Sequence, residues 1–308
     1  MPALYAQSSR TPGRAFLTAL LAASLLVPAG RAAEPPAPFG APAGTLVFHG
    51  KATGQLDIFV SDDESRSARN LTAHPAEDSE PELSPDGTQV AFQSTRAGKS
   101  HVFVVPTTGG PPTQFTSGGS LDQSPCWSPD GRWLYFDSHR GTSWRLCRVR
   151  IAGGPVEVLT ADGLDALAPA VSPDGTKLAA QLREPGSEQW SLGLFTPDGK
   201  LLSKLAAPGA ALNETPSFSP DGRYLYFAAI TAAGYELFRI ATSGQGTPEQ
   251  LTRSGGWKLH PVAVGLDFLL YDEKTAAGWR IGLLDLRSGQ QRTLRSAIDA
   301  FHPSWRSK

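Results

Sequence analysis

The tetrapeptide Ser-Pro-Asp-Gly occurs four times, at Ser84–Gly87, Ser128–Gly131, Ser172–Gly175 and Ser219–Gly222, at spacings of 44, 44 and 47 residues. A repeat of this period confines a chain to a stack or ring of similar supersecondary units. The motif is a tight turn: Pro presets φ, the Asp side chain bonds to the backbone just ahead, and Gly takes the positive φ that other residues resist. An apolar stretch follows each turn (Gln89–Gln93, Arg132–Phe136, Lys177–Gln181 and Arg223–Phe227), and a Pro precedes each at a fixed offset, at Pro81, Pro125, Pro169 and Pro216. Extending that register reaches Pro261, where Gly265 to Asp267 stand in for the turn in a degenerate fifth copy. A further column (Leu56, Ser100, Trp144, Trp190, Tyr235 and Trp279) opens a run of alternating apolar residues in each of six copies. The pairs Leu71-Thr72, Phe115-Thr116, Leu159-Thr160 and Leu251-Thr252 mark a short fourth strand.

Four short antiparallel strands in about 44 residues make one blade of a β-propeller. The 32 Gly and 26 Pro among 308 residues supply the frequent turns such a chain needs. The first unit, from Gly44 to Thr72, lacks the Pro-containing strand, and the chain finishes on Phe301-His302-Pro303-Ser304-Trp305, which is that strand without its sequel. The expected fold is therefore all-β, a six-bladed β-propeller of four-stranded antiparallel blades. Pairing of the carboxyl-terminal strand with the amino-terminal strands closes it and removes the exposed edges.

The pattern in PCWSPDGRWLYF and PSFSPDGRYLYF resembles the propeller repeat of the TolB-like family, over residues 44 to 308. TolB is the periplasmic component of the Tol–Pal envelope system, so the resemblance implies a periplasmic propeller that holds an envelope protein or peptide. The small α/β domain that precedes the TolB propeller has no counterpart here, where a Pro-rich stretch stands instead. Tasks belonging to that domain are not implied.

The amino terminus agrees with export. Arg10 and Arg14 precede the apolar run AFLTALLAASLLVPAG, and Gly30 and Ala32 are small residues at the position a signal peptidase requires. The expected organisation is a signal peptide over 1–32, cleaved after about Ala32, a Pro/Ala-rich linker over 33–43, and the propeller over 44–308. The apolar run is shorter than the roughly 20 residues that span a bilayer, and nothing later is apolar enough to do so. The leader holds three of the 28 Lys and Arg and none of the 29 acids, so the mature chain carries 25 bases against 29 acids. That excess of acid argues against nucleic acid as a partner. The mature protein is read as a monomer.

No G-x-S-x-G elbow, P-loop, G-x-G-x-x-G or H-E-x-x-H motif is present. Only Arg306 to Lys308 follow the last strand, which leaves no room for a hydrolase domain of the prolyl-oligopeptidase kind. Neither catalytic nor metal-ligating residues are assigned, and no cofactor is expected. Cys126 and Cys147 fall on the first and third strands of one unit, about 9.6 Å apart at about 4.8 Å per strand. That exceeds the reach of a disulfide, so both are read as structural thiols. The Trp column is read as packing between blades, and the turn aspartates as local turn ligands.

What remains is the set of polar residues just ahead of the inner-strand prolines, expected to face one another at the channel mouth. It comprises Asp78 and Glu80, Asp122 and Gln123, Asn213 and Glu214, Lys258 and His260, and His302, with Asp165 and Asp299 nearby. Acids on one side and two imidazoles on the other suit a cationic loop, a small polar ligand or a cation. The functional expectation is an adaptor that binds a protein or peptide at this mouth. Two alternatives stand beside it: an enzyme acting on a small saccharide or peptide there, and a sensor or structural subunit that recognises a cell-wall component through rim loops such as Ser61–Arg69 and Arg183–Gln189.

Overall fold

A computed structural model describes residues 44–51, 54–61, 68–205, 213–294 and 299–307, apart from the side chain of Asn213. The expected leader, linker and most of the rim loop 61–69 lie outside these residues. Every regular element among them is a strand. The first unit contains β1 (Gly44–Lys51), β2 (Asp57–Ser61) and β3 (Arg69–Asn70), and the second β4 (Asp78–Leu83), β5 (Gln89–Ser94), β6 (His101–Pro106) and β7 (Thr113–Gln114). The third has β8 (Leu121–Trp127), β9 (Trp133–Arg140), β10 (Ser143–Arg150) and β11 (Glu157–Val158), and the fourth β12 (Asp165–Val171), β13 (Leu178–Arg183), β14 (Ser191–Phe195) and β15 (Leu201–Leu205). The fifth has β16 (Asn213–Phe218), β17 (Tyr224–Thr231), β18 (Gly234–Ala241) and β19 (Glu249–Gln250). The sixth has β20 (Gly256–Val264), β21 (Phe268–Thr275), β22 (Gly278–Asp285) and β23 (Gln291–Thr293), and the chain ends on β24 (Asp299–Ser307). Among the described residues no helix is long and apolar enough to cross a membrane.

Each Ser-Pro-Asp-Gly turn is built alike. The Ser hydroxyl donates to the Asp carboxylate at 2.6 Å in all four copies. The same carboxylate accepts the backbone N–H two residues on, and the Ser oxygen accepts the N–H that opens the next strand, as at Gln89 and Trp133. These bonds, the Ser hydroxyl first, hold Asp130, Asp174 and Asp221 down to about 2. A depressed carboxyl contributes stability above its unfolded value and loses it as pH falls through the folded one, so the turns weaken between about pH 4 and about pH 2. Gly131 sits at φ 68° with nothing within 4 Å of where a Cβ would stand, so only the backbone resists substitution. Gly131→Ala is expected to cost about 1–2 kcal/mol, read from urea unfolding midpoints; a neutral result would refute the left-handed turn.

The fourth strands are two or three residues long in most units, and a threonine completes them. The hydroxyls of Thr72, Thr116, Thr160 and Thr252 accept the N–H groups of Ile58, Val102, Leu146 and Leu237 on the third strand. This gives the Leu/Phe-Thr pairs of the sequence their physical meaning.

Four sheets have four strands each, one of them ordered β24-β1-β2-β3, and one sheet has eight. Six separate four-stranded sheets were expected; the fifth and sixth units instead share a sheet. Parallel pairing of Gly234 with Gly256 and Tyr235 with Trp257 joins β18 to β20. A Cβ on Gly234 would stand 2.0 Å from the Gly256 carbonyl oxygen, so glycine permits the join. β24 pairs antiparallel with β1 from Gly44–Ser307 to Lys51–Asp299.

The apolar core is distributed between units. Six clusters among the described residues each draw on two neighbouring units: the first and second meet through Ile58 and Phe92, the third and fourth through Leu146 and Leu178, and the sixth and first through Leu283 and Phe48. The remaining neighbours pack likewise. Trp144, Trp190 and Tyr235 are buried, as the packing reading expects. Cys126 and Cys147 are unbridged, and burial pushes both thiols up to about 12, where they are inert as nucleophiles.

Candidate functional site

Each unit's first strand touches that of the next: β24 meets β4, β4 meets β8, β8 meets β12, β12 meets β16, β16 meets β20, and β20 meets β24. The first strands of neighbouring units are thus in contact along the whole series. Every one of them is broken by a bulge just before its proline, where a non-glycine residue adopts the left-handed conformation: Glu80, Ser124, Ala168, Thr215, His260 and His302, at φ between 49° and 54°. The register of pairing shifts there, as between Ser79 and Glu82. Such backbone costs of order 1–3 kcal/mol per residue and persists only where its surroundings enforce it.

The enforcing contacts run from unit to unit. At four of the six bulges the N–H of the left-handed residue bonds to the preceding unit. Glu80 N–H donates to His49 Nδ1 at 2.9 Å, Ser124 N–H to Glu80 Oε2 at 2.7 Å, Ala168 N–H to Asp137 Oδ1 at 2.9 Å, and His260 N–H to Thr215 Oγ1 at 3.1 Å. The six side chains at these positions are all half-buried.

Three of the residues expected at the mouth are elsewhere. Asp78, Asp122 and Lys258 are 0% exposed. Asp78 pairs with Arg96 at 2.8 Å, and Asp122 with His101 at 3.1 Å while accepting the Ser138 hydroxyl. Lys258 donates to the Gly255 carbonyl and lies 3.6 Å from Glu236. Asp165 accepts the Trp144 N–H from the neighbouring unit and pairs with Arg183, and Asp299 accepts the Trp279 N–H. These groups hold sheets together. Gln123 is half-buried beside Asp137 in the register of its sheet. Asn213 pairs through its backbone with Ala229, and its side chain is outside the described set.

Glu80, Glu214, His260 and His302 do come together. The His260 ring stacks on His302 with centroids 4.1 Å apart and planes 29° apart, and His302 lies 5.6 Å from His49. His260 Nδ1 is 2.7 Å from Asp272 Oδ1. Burial opposes its charge, but Asp272, with help from Glu80 and Glu214, outweighs that and raises its pKa. Burial and the neighbouring His260 cation hold His49 and His302 well below the ordinary imidazole value. Glu80 and Glu214 are raised, chiefly by burial. Glu214 also accepts a hydrogen bond from the Tyr235 hydroxyl at 3.3 Å.

Two members of the site, His49 and Asp137, escaped the sequence reading because they stand on second strands, away from the prolines. Burial, with the Glu80 charge second, pushes Asp137 up to about 7. A carboxyl raised on folding contributes stability that is full below its unfolded value near 4 and is lost as pH rises to about 7. Asp137→Asn keeps the acceptor for Ala168 N–H and is expected to remove that loss. The difference in urea midpoint between variant and parent grows in the variant's favour from about pH 5 to about pH 8; a pH-independent difference would contradict the burial of a titrating Asp137. Among the described residues no three His, Cys, Asp or Glu are arranged to hold a metal ion.

The family model described as the Tricorn protease N-terminal beta propeller domain matches residues 52–191. No curated protein matches the sequence. Among solved structures, TolB from Acinetobacter baumannii superposes with a TM-score of 0.74 at 16% identity, covering 87% of this chain and 68% of that one. The putative TolB from Agrobacterium tumefaciens gives 0.67 at 19%, covering 85% and 91%. Hydrazine synthase of Kuenenia stuttgartiensis gives 0.71 at 13%, covering 86% of this chain and 47% of that one. The shared feature is the fold, a TolB-like β-propeller of four-stranded antiparallel blades.

Proposed function

We propose that this TolB-like propeller is a six-bladed ring closed by β24, exported to the periplasm, and works as a binding adaptor that holds a protein or peptide segment at its axial channel. The protein acts as a monomer and by binding alone, without turnover. The observation that carries the reading is the ring of six left-handed residues. Their backbone geometry repeats within 5°, from 49° to 54° in φ, whereas their side chains are an acid, two hydroxyls, a methyl and two imidazoles. A frame held constant with its contents varied is what recognition of one particular ligand requires. Support for the adaptor role also comes from the TolB likeness, and for export from the apolar leader with its flanking arginines.

The test compares retention of envelope proteins by the mature chain and by two sets of variants. Ala168→Gln and His302→Ala alter the axis; Ala168 offers no side-chain hydrogen bond to lose. Glu184→Ala and Glu188→Ala alter the outer rim. Loss of one partner with the axial variants and its retention by the rim variants is the expected outcome. Loss with the rim variants alone would move the binding face to the periphery and favour a cell-wall sensor, and turnover of a saccharide or peptide abolished by His302→Ala would favour an enzyme.

A further inference from the structure

The second strand of each unit carries one residue directly behind the bulge. Register places His49 opposite Phe301, Gln93 opposite Ser79, Asp137 opposite Gln123 and Asp272 opposite Leu259, so the four occupy one level around the axis. Each has a buried polar atom with no hydrogen-bond partner: His49 Nε2, Gln93 Oε1, Asp137 Oδ2 and Asp272 Oδ2. Buried polar atoms are otherwise almost always paired, because an unmade bond leaves the full cost of desolvation. Four orphans at one level are therefore a recognition pattern.

The pattern has a sign. His49 Nδ1 accepts the Glu80 N–H, so the neutral ring carries its proton on Nε2, a donor. The other three orphans are acceptors, and two of them are carboxylate oxygens on residues that are 0% exposed. Glu80 adds a third carboxyl, half-buried and bonded to the Ser124 N–H. The His260 ring is already engaged by Asp272, and Lys258 by Glu236. Burial, with the Glu80 charge second, raises the Asp137 carboxyl, so a cation beside it would relieve both.

We infer that this level of the channel is a receptor for a cationic nitrogen group, the guanidinium or ammonium of a side chain inserted along the axis, seated between Glu80 and Asp137. Such a group brings an N–H donor to Asp137 Oδ2, which has none, and a positive charge to two carboxyls that burial raises. The inference rests on the adaptor reading and names the chemistry by which a partner segment is recognised.

The test uses the full mature chain and four probes followed by NMR titration: N-acetyl-arginine methylamide, N-acetyl-lysine methylamide, the neutral N-acetyl-citrulline methylamide, and calcium chloride. The arginine or the lysine probe is expected to bind at least about tenfold more tightly than citrulline, which has arginine's shape without its charge. Whichever of the two binds better identifies the group. Glu80→Gln and, separately, Asp137→Asn are expected to weaken the cationic probe by about tenfold and to leave citrulline unchanged. Equal binding of arginine, lysine and citrulline overturns the inference, as does indifference to both substitutions. Calcium binding that excludes the organic cations also overturns it, in favour of a metal. Axis-dependent partner retention without charge discrimination among the probes defeats this inference and leaves the adaptor reading standing. Charge discrimination without axis-dependent retention does the reverse.

Discussion

Deletion of Asp299 to Lys308 is expected to abolish the cooperative unfolding transition. β24 is the partner of β1 along its whole length, and its residues fill the cluster between the sixth and first units: Ala300 and Phe301 are buried, and Trp305 packs against the same cluster. Gly44 has no side chain because the Trp305 ring lies 2.3 Å from where its Cβ would be. The strand also reaches the second unit, where Ser304 Oγ accepts the Leu83 N–H at 3.0 Å and Arg306 pairs with Glu82 at 3.1 Å. Removing one large buried aromatic costs about 3–5 kcal/mol. Two aromatics and nine strand residues together exceed what a domain with about 5–15 kcal/mol of stability can lose. Near-UV circular dichroism should collapse, and a synthetic peptide of residues 299–307 added in trans should restore it. A truncated chain that unfolds cooperatively within about 1 kcal/mol of the parent would show that β24 is dispensable.

The second large effect is expected at Lys258→Met, which keeps the stem and removes the ammonium. Lys258 and Glu236 are both 0% exposed, 3.6 Å apart, at the join of β18 and β20. Glu236 further accepts the Gly255 N–H and the Thr252 hydroxyl, which ties the charge to the turn leading into β20. Breaking a buried pair from one side leaves the other charge unpaired and costs about 3–5 kcal/mol. Lys258→Met with Glu236→Gln should recover most of that loss, since no charge is then stranded. Urea unfolding of the four proteins gives the coupling directly, and a single-substitution loss below about 1 kcal/mol would mean the pair is solvated.

The architecture was readable in the sequence because its causes are local and repeated. A turn that needs Pro, Asp and Gly in order declares itself wherever it occurs, and the threonines that complete the fourth strands recur for the same reason. The join of the fifth and sixth units was not readable. It depends on Gly234 and Gly256 meeting across 22 positions of chain, and two glycines in a glycine-rich protein carry no visible signal. The site was half legible. Counting back from the prolines picks out Glu80, Glu214, His260 and His302, which the structure groups together. The same count misplaced Asp78, Asp122 and Lys258, because alternation with period two puts residues 78 and 80 on one face only while the strand stays regular. The left-handed residue at 80 breaks that regularity, so Asp78 is fully buried while Glu80 stays partly open. His49 and Asp137 were missed because their role arises from a neighbour's N–H, a contact between units that no spacing within one repeat encodes.

The pairing of Gly44 with Ser307 spans 263 positions, and it sets an order on events during the making of the protein. A ribosome or a translocation pore releases the chain amino terminus first, so β1, β2 and β3 emerge as a sheet whose inner strand does not yet exist. Units two to six can each form their meanders as they appear, but the first stays open until the last residues are free. Assembly is thereby postponed to a single late step, with slow kinetics of the kind imposed by distant contacts. Until that step the growing chain carries an unfinished first sheet and an uncovered sixth-unit face, the kind of exposed edge and apolar surface that favours aggregation.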